Sequence, residues 1–461
     1  MRNLDKLAYD LTCNWYKSIS FNPVYHGIDF SQIIRFYLWD KIGRAIRIKY
    51  KVDNGELSIY KPNMGKISYY HEPVISKGKF KKRILKREQL VFIPFAVASY
   101  LVNGFSDIKN VKIITKDVNI GLPKKSIITT KAKLIDDHWY IELYNNVLKA
   151  LKINALELVP QDLRLLKEQI KGAFLISYYA EQELLKYKPN ALFVYSDNHP
   201  PFINYVLAAK KIGIPSFTYQ HGLDCEHYYL DDCFADYIAV WSENRKLRYI
   251  KHSAFEPKAY EVVGKIKRET HKVKRGKNGQ KYILFITRPH KPIKCYSPSR
   301  SHDEGASILK AILDYMLLNS QLKLIIKSHP LDNAAIYSET LDSFPALREK
   351  VVLSEETIEH LAINCDVIIT EDSTAGVEAL VYGKPCVHAH FANSRPVLPF
   401  IEYGASFSGK SHKELVDSLK KCFAISNEDL YLMIGNQQKM VADFIPSGES
   451  ENLVNFIIDN L

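Results

Sequence analysis

The sequence has no closely spaced cysteine pair: its seven cysteines stand at positions 13, 225, 233, 295, 365, 386 and 422, without a CxxC among them. An odd, scattered set of this kind argues against a disulfide framework and a cysteine zinc site, and it fits a reducing compartment. Long apolar runs are also missing, since none reaches the 18 or so residues that a membrane-crossing helix needs. The longest, LVFIPFAVASYLV from Leu90 to Val102, is broken by Pro94 and reads as a core or interfacial segment. The opening MRNLDKLAYDLTCNWYK sets charges inside its apolar pattern, unlike a signal peptide. No internal repeat or low-complexity tract is evident. A cytoplasmic protein is expected, with peripheral association at the inner face of the cytoplasmic membrane as a further expectation.

What is present is a chain of 461 residues, 46% hydrophobic and 25% charged, the composition of a soluble globular enzyme. That length exceeds one ordinary domain, so two are expected. Its 63 Lys and Arg against 51 Asp and Glu leave a net +12, which points to an acidic partner: nucleic acid, an anionic bilayer or a phosphorylated substrate. The stretch SKGKFKKRILKRE, residues 76–88, concentrates seven of the basic residues. It reads either as a solvated helix face or as a contact for an anionic membrane surface or acceptor.

From residue 191 the chain follows a strand–helix–strand grammar. ALFVYS (191–196), IPSFTYQ (214–220), YIAVWS (237–242) and AYEVVG (259–264) read as strands, with the helix PFINYVLAAKKIG (201–213) between the first two. A basic stretch, KIKRETHKVKRGKNGQK (265–281), has no apolar periodicity and reads as a linker. The grammar restarts with strands YILFIT (282–287), LKLIIKS (322–328), VVLS (351–354), DVIIT (366–370) and PCVHAH (385–390), joined by helical segments. The expectation is an α/β protein of two Rossmann-like, doubly wound domains facing an inter-domain cleft. The first is 1–264, its core near 150–264 and its N-terminal elaboration unassigned; the linker is 265–281, and the second domain is 282–461. Ligands of such sheets bind at the carboxyl ends of the strands.

Polar clusters follow five of these strands: YSDNHPP with Asp197 and His199, YQHGLD with His221, ITRPHK with Arg288 and His290, KSHP with Lys327, His329 and Pro330, and EDST with Asp372, Ser373 and Thr374. Each alone has an ordinary structural explanation, a capping residue or a hydrogen-bonded histidine. Five at strand ends are what a phosphate-binding, acid–base site needs. The EDST cluster stands before a helix, where amide groups and hydroxyls favour an anion.

KSHP, followed by a strand and then DSTAGVEALVYGKP, resembles the C-terminal half of metal-independent GT-B glycosyltransferases of bacterial surface polysaccharides. The pattern is similar to that of capsule and lipopolysaccharide β-Kdo transferases, which use CMP-sugars. The QHG at Gln220 to Gly222 is similar to a motif of teichoic-acid glycerophosphotransferases. The resemblance spans about 191–400 and implies a cytoplasmic glycosyltransferase with no cofactor or metal, a nucleotide-sugar donor that is CMP-linked, and a glycan or glycolipid acceptor. It implies that His329, Ser373 and Thr374 hold the donor phosphate and that Glu378 bonds the ribose or base. Glu378 has an ordinary reading too, since a first-turn Glu complements the helix dipole. Lys327 and Arg288 supply positive charge against the leaving phosphate. Asp197 is the candidate nucleophile or general base, with His221 or His199 as its partner. Two other readings stay open: a transferase of polyol phosphate from a CDP-glycerol type donor, or of sugar from UDP or GDP, and a non-catalytic binder of nucleic acid or glycan. Against the last, the chain carries no recognisable nucleic-acid motif, so no nucleic-acid partner is expected.

Overall fold

The structure is a computed structural model that describes residues 4–50, 73–76, 83–94, 105, 108–116, 137–220, 222–223, 232–253, 255–266, 281–291, 300–330, 332, 335–391 and 396–461. Two parallel sheets dominate. The strands of the first are β1 (Pro73–Ser76), β2 (Arg83–Ile93), β3 (Ile108–Lys116), β4 (Ala191–Val194), β5 (Ser216–Tyr219), β6 (Tyr237–Val240) and β7 (Ala259–Val262). They run β1-β3-β2-β4-β5-β6-β7 across the sheet, all parallel except β1, which pairs antiparallel with β3 at the edge.

The second sheet comprises β8 (Lys281–Ile286), β9 (Leu322–Lys327), β10 (Val351–Leu353), β11 (Val367–Thr370), β12 (Cys386–Ala389) and β13 (Phe407–Gly409). Its order is β10-β9-β8-β11-β12-β13, entirely parallel. The order reverses direction between β8 and β11, which makes the crevice at their carboxyl ends the expected ligand position. Strands β4, β5, β11 and β12 are buried at every residue, as a sheet covered by helices on both faces requires.

The first sheet begins earlier than the sequence suggests. Strand β2 lies beside β4 at the centre of the sheet, and it emerges from the basic run of residues 76–88. Residues 77–82 lie outside the described residues; from Arg83 the run is strand, not a helix face. High charge hides strand character because it removes the apolar signal by which strands are read. The apolar end of this strand, Leu90–Ile93, is the start of the segment read as core or interfacial, and Val91, Phe92 and Ile93 are buried.

The halves are tied together through the last residues. Lys265–Ile266 pairs in parallel with Ser447–Gly448. Here Gly264, at φ +76°, crosses Gly448 so closely that a Cβ on Gly264 would stand 2.5 Å from the Gly448 Cα, so no larger residue fits the crossing. The Ser450–Asp459 helix that follows returns to the first sheet, where Phe456 packs edge-on against Phe217 and Tyr237, ring centroids 6.0 and 6.1 Å apart. One apolar cluster therefore runs from Phe217 and Trp241 of the first half through Leu453 and Ile457 to Leu284 and Ile368 of the second. Most of the stretch expected to link the halves, residues 267–280, lies outside the described residues.

Candidate active site

Three strand ends of the second sheet converge. Thr287 directly follows β8, and its amide bonds the carbonyl of Lys327, the last residue of β9, over 3.1 Å. The His329 amide donates to Thr287 Oγ1 (3.2 Å), and the Arg288 amide donates to the Glu371 carboxylate beyond β11 (2.6 Å). Hydrogen bonds between neighbouring loops thus bring Arg288, Lys327, His329 and the EDST segment to one sheet edge. Lys327 and His329 are half-buried and Pro330 is exposed, while the Arg288 side chain is only 2% exposed. Its guanidinium lies behind the loops and not at their surface.

Beneath the loops sits a group that the motif reading leaves without a role. The His290 imidazole lies between two carboxylates, Nδ1 3.3 Å from Asp332 and Nε2 3.3 Å from Glu371. Its amide donates to the other Asp332 oxygen over 2.9 Å, and Tyr337 donates its hydroxyl to Asp332. Burial alone would favour a neutral ring; the Glu371 charge, the hydrogen bonds to both carboxylates and the Asp332 charge overcome it and raise the imidazole pKa to about 10. Burial pushes the Asp332 carboxyl up, but its hydrogen bond to His290 and the imidazolium charge hold it below the usual carboxylate range. The sequence signals were there, Asp332 three residues after His329 and Glu371 at the head of EDST, but nothing in a linear pattern shows that they meet at one histidine.

The EDST segment enters the Thr374–Leu380 helix with Ser373 at its N-cap. A Cβ on Gly376 would fall 2.0 Å from Thr370 Oγ1, so this glycine lets the helix lie directly on the end of β11. Ser373 is 8% exposed and Thr374 half-buried. The Asp372 carboxylate turns inward, within 3.1 Å of His388 Nε2 and 3.3 Å of His390 Nδ1, and it accepts the Leu398 amide over 3.1 Å. The ligand atoms of this buried trio lie within 4.8 Å of one another, so among the described residues these could hold a metal ion. With the contacts present, a fully buried carboxylate is supplied with hydrogen bonds.

Two contacts join this edge to the first half. The Leu223 amide, in the loop after β5 that carries QHG, donates to Thr374 Oγ1 over 2.9 Å. Glu378, one turn into the helix, is paired with Lys265, whose ammonium also stands 5.0 Å over the Trp241 ring. Residues 197–199 lie further along the first sheet. Asp197 is 6% exposed, and its Oδ2 accepts the amides of Phe234 (2.6 Å) and Ala235 (2.8 Å). Burial raises its pKa to about 6 against the pull of these hydrogen bonds. His199 is half-buried between the Phe36 and Phe202 rings, with Nδ1 3.1 Å from the Pro200 carbonyl. His221 lies outside the described residues. Its neighbours are fixed: Gln220 donates to the Gly222 carbonyl and accepts the Trp241 amide.

With two parallel sheets joined in this way, the chain can be set beside known proteins. It is similar to the S. aureus MnaA structure with UDP, at 15% identity over 80% of this chain and 96% of that one, with a TM-score of 0.50. The chain has a GT-B-like fold. UDP-GlcNAc 2-epimerase from Neisseria meningitidis bound to UDP-GlcNAc is similar at 13% identity, over 81% and 99% of the chains, with a TM-score of 0.49. S. aureus TarM, in complex with fondaparinux, alpha-GlcNAc-glycerol and UDP, follows at 11%, over 62% and 58%, with a TM-score of 0.41. Residues 207–391, which hold the QHG, ITRPH, KSHP and EDST segments, match the family described as capsule polysaccharide biosynthesis protein. That stretch is short of half the chain. No curated protein sequence matches. Among the described residues no helix is long and apolar enough to cross a membrane.

Proposed function

We propose that this protein is a capsule or lipopolysaccharide glycosyltransferase that moves a sugar from a nucleotide donor to a surface-glycan acceptor. The observation that carries the reading is the Leu223–Thr374 hydrogen bond: it sets the QHG loop of one sheet against the EDST loop of the other. The match of residues 207–391 to a capsule biosynthesis family supports the same direction. The donor we favour is CMP-linked Kdo or a related acidic sugar, on the resemblance of the KSHP and DSTAGVEALVYGKP segments.

In this reading Ser373, Thr374 and the His329 loop receive the donor phosphate, with Lys327 beside them, and Glu378 bonds the ribose. Arg288 acts from behind the loops as a buried positive charge. Charge developing on the departing nucleotide phosphate meets these donors, so that the transfer requires no metal. Asp197, with His221 or His199, serves the acceptor side. As nucleophile, its carboxylate attacks the anomeric carbon while the C–O bond to the nucleotide breaks, and the acceptor hydroxyl then displaces it, giving its proton to His221 or His199. As general base, it takes the acceptor hydroxyl proton during a single displacement. A pKa near 6 keeps Asp197 mostly ionised at neutral pH, and burial works against its freedom to attack. Transfer to the acceptor takes place at the inner face of the cytoplasmic membrane.

The QHG segment favours a second reading, polyol-phosphate transfer from a CDP-glycerol type donor. Incubation of the purified protein with CMP-Kdo, UDP- and GDP-sugars and CDP-glycerol, with release of the nucleotide measured against a capsule-type acceptor, separates the two. Release of CMP from the sugar donor supports the first reading, and activity with CDP-glycerol alone replaces it by the second.

A further inference from the structure

The three loops assigned to donor phosphate share one buried side chain. Arg288 and His290 share the loop after β8; His329 and Asp332 share the loop after β9; Glu371 begins the loop after β11 that continues into Asp372 and Ser373. His290 is 1% exposed and reaches both other loops at once, Asp332 through Nδ1 and Glu371 through Nε2. The second Glu371 contact, from its carboxylate to the Arg288 amide, closes the set on the loop from which it started. Tyr337 and Thr287 complete the coordination of Asp332, the Thr287 hydroxyl donating over 3.1 Å.

We propose that His290 is the positioning residue of the donor site: as an imidazolium shared by Asp332 and Glu371, it fixes the three strand-end loops as one unit. The inference rests on the assignment of those loops to donor phosphate, but the coupling it describes exists without any ligand. A cation bonded to two anions is the arrangement in which a single group can hold three segments, because each charge-assisted bond is stronger than a neutral one. Removing the imidazole leaves two buried carboxylates facing each other without their shared cation, and they must separate or take up protons. The packing leaves no slack for the ring. A Cβ on Gly305, in the helix beginning at His302, would stand 2.5 Å from the His290 ring. The ionisable groups around His290 are Glu371 on one side, Asp332 and Tyr337 on the other, and His302 on the adjoining helix, whose own proton affinity is lowered by burial and then by the His290 charge.

Hydrogen–deuterium exchange on full-length His290→Gln tests the coupling directly. Glutamine keeps much of the volume but cannot bond both carboxylates as a cation. The expected result is exchange at least tenfold faster in the 287–290, 328–332 and 371–374 segments together, with protection of the His412–Ala424 helix unchanged. Acceleration confined to the 287–290 segment overturns the proposal. Gly305→Ala, which displaces the ring but keeps its charge, gives the same three-segment pattern in milder form and serves if the glutamine variant does not fold. A parallel titration of CMP onto wild type and variant separates the inference from the functional reading. Failure of the wild type to bind any nucleotide removes that reading and leaves the exchange result standing, whereas equal CMP affinity in the two proteins overturns the positioning role.

Discussion

The Leu223 amide donates to Thr374 Oγ1 over 2.9 Å, and this bond joins two segments 151 positions apart in sequence, one from each sheet. It gives Thr374 a use that a serine could share and a valine could not. Thr374→Val leaves the partly buried amide without its acceptor and is expected to lower stability by about 1–3 kcal/mol. Thr374→Ser is expected to stay near wild type. Urea unfolding midpoints of the two variants measure the difference, and equal midpoints would remove the contact from the account.

The Lys265–Glu378 pair crosses between the halves a few residues away, but its side chains are 22% and 34% exposed. A partly exposed pair is worth about 0–1 kcal/mol and weakens with salt. Lys265→Met is therefore expected to change stability by less than about 1 kcal/mol. Under the proposed role for Glu378, Glu378→Gln weakens nucleotide binding by about ten- to a hundredfold at a similar small cost in stability, since loss of a charged hydrogen-bond partner is worth about 1.5–3 kcal/mol. Calorimetric titration with nucleotide beside thermal unfolding separates the two effects.

Acid stability reports on Asp197. Burial raises its folded pKa from the ordinary 3.8 to about 6, so the folded state favours the protonated form. The stability this gives is fully present below about pH 4 and is lost as pH rises through about 6. Asp197→Asn, whose Oδ1 can still accept the Phe234 and Ala235 amides, is expected to remove that slope and keep the fold. The same variant is expected to abolish transfer if the proposed role is right. Unfolding midpoints at pH 4.5, 5.5 and 6.5 with an activity assay address both points, and full turnover by Asp197→Asn would take the carboxylate out of the chemistry.

Alkaline stability reports on His290 with the opposite partners. Its folded pKa is raised from 6.5 to about 10 by Glu371 and Asp332. The stability it contributes is fully present below about pH 6.5 and is lost as pH rises through about 10. Wild type is expected to lose unfolding midpoint between pH 8.5 and 10.5 more steeply than His290→Gln. Parallel slopes in the two proteins would place the imidazole outside this titration.

Gly376 marks where the EDST helix touches β11. The Cβ of Gly376→Ala would fall 2.0 Å from Thr370 Oγ1, and Thr370 is fully buried, so the helix or the strand end must shift. The expected loss is about 1–3 kcal/mol, the usual range for overpacking a close contact. Chemical denaturation measures it, and a neutral effect would mean that the loop yields freely.

Much of the second sheet is legible in the sequence. Segments such as DVIIT and YILFIT are short, apolar and β-branched, and the strands fall at 367–370 and 281–286, within one residue of the segments read. The order in which they pair, and hence the crevice between β8 and β11, comes only from the fold. The first sheet is less legible because its central strand, β2, starts in a basic run, and its edge strand β1 is four residues long. Arg288 shows the limit for site residues: its position at a strand end is readable, its burial is not. His290 shows the same limit from the other side, since one histidine in ITRPH looks like any other until Asp332 and Glu371 are placed on either side of it.

The most direct test of the account is a melting-temperature measurement on the purified protein with CMP, CDP, UDP, GDP and ADP in turn, in EDTA, repeated on His329→Ala. A ligand that binds the folded form alone must raise the melting temperature. CMP is expected to raise it in the wild type and to have little effect on the variant. No rise with any of the five nucleotides would contradict the assignment of a nucleotide-donor site to these loops.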